Sequence, residues 1–252
     1  EMCGRDWSSD VCSSDLNIPR VWMDHGAWPT FTINFYIHQT GDFDILFEKQ
    51  NYFADKFSHR SKKIIKDIIH SDNKLRNKSN EIHYGTIIEH LILQNITSSL
   101  NLGKNKSILL EDGDWNDGLD MGHQHGETIA FTMMYVNNVL EIIHLIQAID
   151  QDQFELLSPL KDLIFKTIDL QTYFNSDVKD VEWVNKEALI SALQSIYDTH
   201  MKHLQEAFVE DIFQSYFDHK ATLLDIDHTV MLTGQAMALL NRIASREQAV
   251  KL

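Results

Sequence analysis

The sequence predicts an all-α fold, organised as part of an (α/α)6 helical toroid in which inner and outer helices alternate and loops at one end line a ligand site. Three observations carry this expectation. Glycine and proline are sparse, ten and three in 252 residues. Strict apolar/polar alternation, the mark of half-buried strands, is hard to find. Several stretches instead repeat apolar residues at i, i+3 and i+4, with one polar, aromatic-rich loop between them.

After Trp28-Pro29, the residues Phe31, Phe35 and Tyr36 open a helix that Gly41-Asp42 ends. Pro29 suits a first turn, where a missing N–H costs nothing. Asp44 is expected to cap a second helix running to about residue 57. Residues 58–81 are charged and Asn-rich and read in part as an excursion loop. Ile87, Ile88, Leu91, Ile92, Asn95 and Ile96 predict an amphipathic helix over 85–100, stopped at Gly103-Lys104-Asn105. Residues 107–110 lead into a segment too rich in Asp and Gly to be helical. The longest pattern, 127–150, is nearly apolar across 129–145 and predicts a buried inner helix. Patterns over 161–170, 186–209 and 230–248 bring the count to about seven. A twelve-helix toroid needs more chain than this, so part of one is expected.

A formal charge of −15 and a pI near 5.2 argue against nucleic acid or an anionic membrane as partner, because both require a basic face. A small neutral ligand fits better. No apolar run approaches the roughly 20 residues that span a bilayer, and the start lacks a secretory n-region and h-region, so a cytoplasmic protein is expected. Cys3 and Cys12 both lie in the first sixteen residues, which excludes disulfides and Cys-held metals from the rest. That leader, EMCGRDWSSDVCSSDL, has no helical or strand period and repeats Ser-Ser-Asp. It reads as a non-native, adapter- or vector-like stretch over 1–16, leaving 17–252 as a fragment of a helical-barrel catalytic domain.

Chemistry concentrates in Asp112-Gly-Asp114-Trp115-Asn116-Asp117-Gly118 and Asp120. Asp112, Asp114 and Asn116 match the first ligand positions of a calcium loop, but Asp117 stands where that loop needs Gly and His123 where it needs Glu. Turn-forming and capping is the plainest reading of any one of these residues. Four acids around one Trp, whose mutual repulsion requires donors or a ligand, also fit a sugar site. There an indole stacks on a pyranose, amides and carboxylates bind hydroxyls, and one carboxylic acid protonates the leaving oxygen.

Three ordered blocks resemble glycoside hydrolase family 94, the family of cellobiose, chitobiose and 1,2-β-oligoglucan phosphorylases. Asp114-Trp115-Asn116-Asp117-Gly118, followed by Gly126-Glu127-Thr128, is similar to its general-acid loop. Trp22-Met-Asp24-His25-Gly-Ala-Trp28-Pro29 with Tyr36 to Asp42 is similar to its acidic-aromatic stretch. Tyr84-Gly-Thr-Ile-Ile-Glu89-His90-Leu91 resembles the helix before the acid loop. The likeness covers about residues 21–145 and thins beyond.

That resemblance implies Asp117 as general acid and Trp115 as the ring stacked on the transferred glycosyl unit, with Asp114 and Asn116 shaping the loop. It implies a β-linked glucose oligosaccharide and inorganic phosphate as substrates, no cofactor and no metal, inverting release of an α-sugar 1-phosphate, and a homodimer for the full-length protein. Phosphate is already anionic, so no general base is needed, whereas an inverting hydrolase needs a second carboxylate roughly 6.5–9.5 Å away. The alternatives are a helical-barrel glycoside hydrolase of the debranching-glucosidase type and a non-catalytic sugar-binding module. The family's phosphate-contacting residues fall outside the chain, so the fragment alone is expected to be inactive. Thr233-Gly234 reads as ordinary helix rather than as such a pair.

Asp24, His25 and Trp28 either line the same mouth or cap and pack. Glu127 either caps its helix or touches sugar, capping being favoured. His123 and His125 near Asp120 form a weak metal motif. His90 reads as a hydrogen-bonded core histidine, Glu206, Glu210 and Asp211 as a solvated face, and Asn95 as a sequon inside a helix.

Overall fold

A computed structural model describes residues 23–52, 74, 76, 79–111, 125–176, 180–218, 220–223 and 230–252. Helix α1 (Trp28–Thr40) carries Pro29 in its first turn and ends on Gly41 at φ 71°, a left-handed conformation that glycine adopts without strain. The helix expected from Asp44 is absent. A 3-10 turn (Asp44–Phe47) gives way to strand β1 (Lys49–Asn51), which pairs antiparallel with β2 (Tyr84–Thr86). Next come α2 (Ile87–Ser99), β3 (Ile108–Leu109), β4 (Glu127–Thr128) and α3 (Ile129–Ala148). Strand β5 (Gln153–Leu157), α4 (Ser158–Ile164), α5 (Leu170–Asn175), β6 (Val181–Asn185) and α6 (Lys186–Glu206) follow. The chain closes with β7 (Phe208–Val209), β8 (Ile212–Phe213), β9 (Tyr216–Phe217), α7 (Leu232–Leu240) and α8 (Arg246–Lys251).

The all-α expectation, and with it the (α/α)6 toroid, is therefore overturned. Among the described residues helix accounts for 54% and strand for 17%, in four small antiparallel sheets with orders β1-β2, β3-β4-β9, β5-β6 and β7-β8. The strands are two to five residues long, and most cover too few positions for alternation to register in a sequence. Their placement has a local cause. Thr86, Thr128 and Asn185 each end a strand in extended conformation, and each accepts a hydrogen bond from a backbone N–H of the helix that follows. An N-cap requires non-helical backbone, so one residue both closes a ladder and starts a helix. The pattern over 230–248 likewise breaks into two helices at Arg242, φ 56°. Glu210 and Asp211, read as a solvated face, are exposed and form the β7–β8 turn with φ 52° and 69°.

Helix α3 is the axis of the core, with 14 of its 20 residues buried. Its first half packs with Met23, Ala27, Ile108, Leu110, Leu204, Phe213, Tyr216 and Met237. Its second half, Val139 to Ile146, packs with α2, α4, β5 and the first part of α6. Among the described residues it alone is long and apolar enough to cross a membrane, contrary to the expectation that no such run exists, but 78% of its apolar window is buried inside the fold. An interior helix surrounded by others is hydrophobic all round for the same physical reason as a lipid-exposed one.

One buried polar network ties three helices of this core together. Asn138 Nδ2 donates to Ala27 O at 2.8 Å and to Asn95 Oδ1 at 3.0 Å. Asn95 Nδ2 donates in turn to Thr30 Oγ1 at 2.7 Å and Leu91 O at 2.8 Å. All three side chains are buried, so α1, α2 and α3 are locked in one register. Asn138→Leu, which orphans two buried acceptors, is expected to cost about 3 kcal/mol in urea unfolding, against almost nothing for the exposed Thr32→Ala. Equal stabilities of the two variants would remove the network from this role.

Candidate functional site

Asp112, Asp114, Trp115, Asn116, Asp117, Asp120 and His123 lie outside the described residues. The structure does define where that segment leaves and returns. Strands β3 and β4 pair Ile108 with Thr128 and Leu109 with Glu127, and Leu110 N donates to Gly126 O at 2.8 Å. Glu111, at φ 57°, accepts a 2.6 Å bond from Asn101 Nδ2. The segment's two ends therefore stand side by side at the head of α3. His125 at the returning end is exposed.

The turn at residues 23–28, far away in sequence, is brought to the same place. Tyr135 donates its hydroxyl to Met23 O, Asn138 holds Ala27 O, and the Trp28 indole lies edge-on to Phe131 with centroids 6.3 Å apart. Trp28 Nε1 donates to Asp24 Oδ2 at 2.8 Å, and Asp24 is only 2% exposed. His25 is half-buried on the same turn. Asp24 and Trp28 thus belong to one turn held on the first three turns of α3 by Phe131, Tyr135 and Asn138. Asp24 acts on Trp28 by fixing the orientation of its ring, and α1 begins at Trp28 with Ala27 rather than Asp24 as N-cap.

Glu127 does not cap α3; Thr128 does, accepting from Phe131 N at 3.0 Å. The fully buried Glu127 carboxylate instead takes Asn105 N at 3.0 and 3.1 Å, Asn105 Nδ2 at 3.0 Å and Ser107 N at 3.1 Å. The capping reading is corrected accordingly: this side chain organises the 103–107 loop. Gly103 is required there, because a Cβ would come within 2.3 Å of the Glu127 carboxyl carbon. Asn105, a sequon in the sequence, is one of its donors.

A second buried acid escaped the sequence reading, which placed Glu89 only within a family-like block. Glu89 sits in the first turn of α2, 1% exposed. It accepts the Tyr52 hydroxyl and, at 2.8 Å, Leu157 N, which ties α2 to the β5–α4 junction. Gly85 leaves the necessary space, since a Cβ there would lie 2.2 Å from Glu89 Oε1. Tyr52 stacks on His90 at 3.8 Å and on His83 at 5.6 Å, and His90 Nε2 lies 3.3 Å from Gln50 O. Burial pushes the Glu89 carboxyl up to about 7, against the lowering effect of the bonds from Tyr52 and Leu157. The available signal was an acid at a helical position otherwise facing the core.

A recess of about 650 Å³ runs between α1 and α3 and is lined by Phe31, Phe35, His38 and Arg242 among others. Its one carboxylate, Glu141, is engaged by Asn34 Nδ2 at 2.9 Å. Gly234, whose neighbour Thr233 made a tempting phosphate pair, packs within α7 against Ser215, whose Oγ accepts its N–H at 3.0 Å.

Comparison with characterised proteins connects this chain to a glycoside phosphorylase. It is 23% identical over 168 residues to the solabiose phosphorylase of Paenibacillus borealis, across 66% of this chain and 18% of that protein. No family model matches. The relationship to a phosphorylase is distant, and the chain spans about a fifth of the length of that relative.

Two stability measurements check these acids. Glu127→Ala, leaving three loop donors unpaired, is expected to lower unfolding free energy by about 3 kcal/mol, and Glu127→Gln, which retains one acceptor oxygen, by less. A folded-state value of about 7 for Glu89, above the ordinary 4.5, means that folding takes up a proton between the two. Its contribution is fully present below about pH 4.5 and is lost as pH rises through about 7. Urea melts across this window should therefore show the natural chain losing up to about 3 kcal/mol more than Glu89→Gln. Parallel pH profiles would place the proton uptake elsewhere.

Proposed function

We propose that this chain is part of an inverting phosphorylase that cleaves a β-linked glucoside with inorganic phosphate and releases an α-sugar 1-phosphate. The observation that carries the reading is the likeness to a phosphorylase, in a chain that also contains Asp114-Trp115-Asn116-Asp117-Gly118. In this reading Asp117 protonates the leaving glycosidic oxygen as the bond to the anomeric carbon breaks. Trp115 stacks on the sugar ring that is transferred, and Asp114 and Asn116 shape the loop. Phosphate attacks the opposite face of the anomeric carbon. Being anionic at neutral pH, it needs no base, so one carboxylic acid suffices.

The geometry supports this reading through proximity. The Asp24–Trp28 unit meets Phe131 and Tyr135 in the first turns of α3, and the described return of the acid segment, Gly126 to Thr128, leads directly into that helix. Asp24 orients an indole at that point, and an oriented indole is what a pyranose face stacks on. In the full-length protein, Asp117→Asn is expected to lower phosphate-dependent release of sugar 1-phosphate by about 10²- to 10⁴-fold, the usual contribution of a general acid. The same assay in phosphate-free buffer should give no turnover. Full activity of the variant would remove Asp117 from the chemistry, and sustained turnover without phosphate would make the enzyme a hydrolase.

A further inference from the structure

The recess of about 650 Å³ between α1 and α3 has two unlike walls. On the α1 side, Phe31 and Phe35 line it with 51% and 62% of their surface exposed. Four positions apart, they share one face of the helix and stand about 6 Å from each other along its axis, close to the length of one glucosyl unit. On the α3 side, Asn137 and Glu141 present an amide and a carboxylate at the same helical spacing. Glu141 is held from both helices: Asn34 Nδ2 donates to its Oε2 at 2.9 Å, and His144 Nδ1 lies 3.9 Å from that same oxygen. Its side chain stays 19% exposed. Arg242, exposed just after α7, adds a guanidinium to the lining. The recess is distinct from the Asp24–Trp28 unit. Its α3 wall begins at Asn137, about 9 Å along the axis beyond Phe131, the residue that the Trp28 indole meets.

These walls restrict what can fill the space. An apolar helix or strand would cover the phenylalanines but strip water from Glu141 and Arg242 without replacing it, and charged groups are depleted from the centres of protein interfaces for that reason. A polyanion would be repelled by Glu141. A sugar satisfies both walls at once. Its C–H face lies on an aromatic ring, and the hydroxyls on its edge donate to the carboxylate and accept from the amide and the guanidinium. Asn, Glu and Arg end in planar, two-pronged groups, which match a pair of neighbouring hydroxyls. The volume falls among those of small-molecule clefts and accommodates more than one sugar ring.

We propose that this recess is an auxiliary binding site for a β-linked glucose oligosaccharide, with adjacent rings stacked on Phe31 and Phe35 and their hydroxyls bound by Glu141 and Asn137. A β-linked chain is extended, so its successive rings can follow the straight ridge of a helix. The choice of glucose as the sugar rests on the phosphorylase reading. The site itself uses neither Asp117 nor Trp115.

Native electrophoresis of the full-length protein through gels containing hydroxyethyl cellulose, in phosphate-free buffer, tests the assignment. The β-glucan should retard the natural protein, and soluble starch, an α-glucan, should do so far less. Phe31→Ala/Phe35→Ala should weaken β-glucan binding by about tenfold or more, and Glu141→Gln by at least about threefold. Both variants should keep kcat/KM for a disaccharide within about twofold in the phosphate-dependent assay. Trp115→Ala should do the reverse, lowering kcat/KM and leaving retardation intact. Both phenylalanines are exposed, so their removal should spare the fold; should it not, Glu141→Gln decides. Retardation that depends on Phe31 and Phe35 in a protein without phosphate-dependent turnover would support this site and remove the phosphorylase reading alone. No retardation, retardation indifferent to the two phenylalanines, or equal retardation by starch would overturn the proposal. A variant that changes oligomeric state in gel filtration while keeping its retardation would overturn it too, making this face a contact between proteins.

Discussion

Everything described here is arranged around the burial of one 20-residue helix, α3, whose buried polar positions need partners inside the protein. A buried amide or hydroxyl without a partner costs about as much as several buried methylenes contribute, so these partners are constraints on the fold. Thr132 donates to Thr128 O and accepts Ile108 N at 2.9 Å, which sets β3 against the helix. Asn138 joins Ala27 O and Asn95, which sets the 23–28 turn and α2. The first N–H groups of α3, at Ile129 and Ala130, are taken by Ser215 O, which draws in the segment leading to β9. The two flanking ends of the acid segment and the Asp24–Trp28 unit lie near the start of this helix because both are attached to it there.

The two buried glutamates serve the same end by different routes. Glu127 gathers the N–H groups of a tight loop, and Glu89 gathers a tyrosine hydroxyl and one strand N–H. Each needs a glycine opposite it, Gly103 and Gly85, because a carboxylate that must reach backbone donors leaves no room for a Cβ. Burial raises the Glu89 carboxyl to about 7. Both are structural acids, in contrast to the role proposed for Asp117.

Much of the helical framework could be read directly. The spacing of Ile88, Leu91, Ile92 and Ile96 marked α2, the apolar run after Thr128 marked α3, and Pro29 and Gly41 marked the ends of α1. Elements two to five residues long could not, because they are defined by a partner strand and not by their own period. Gln153–Leu157 does alternate in part, with Phe154 and Leu156 inward, but becomes a strand only through pairing with Val181–Asn185. The helix expected from Asp44 failed for a similar reason: Lys49–Asn51 pairs with Tyr84–Thr86, residues more than thirty positions away.

The sequence by itself determined which residues are candidates for the chemistry and where the longer helices lie, since residue type and the 3.6 period are local properties of the chain. It therefore pointed to Asp117 and Trp115 and to the likeness with a phosphorylase. Tertiary structure alone decided that Asp24 orients Trp28, whose ring meets Phe131, and that Glu127 holds a loop instead of capping a helix. Those facts depend on contacts between residues up to about a hundred positions apart. No local pattern encodes which buried polar group will meet which partner, because that choice is made only when the chain packs and every N–H, carbonyl and carboxylate must be satisfied at once.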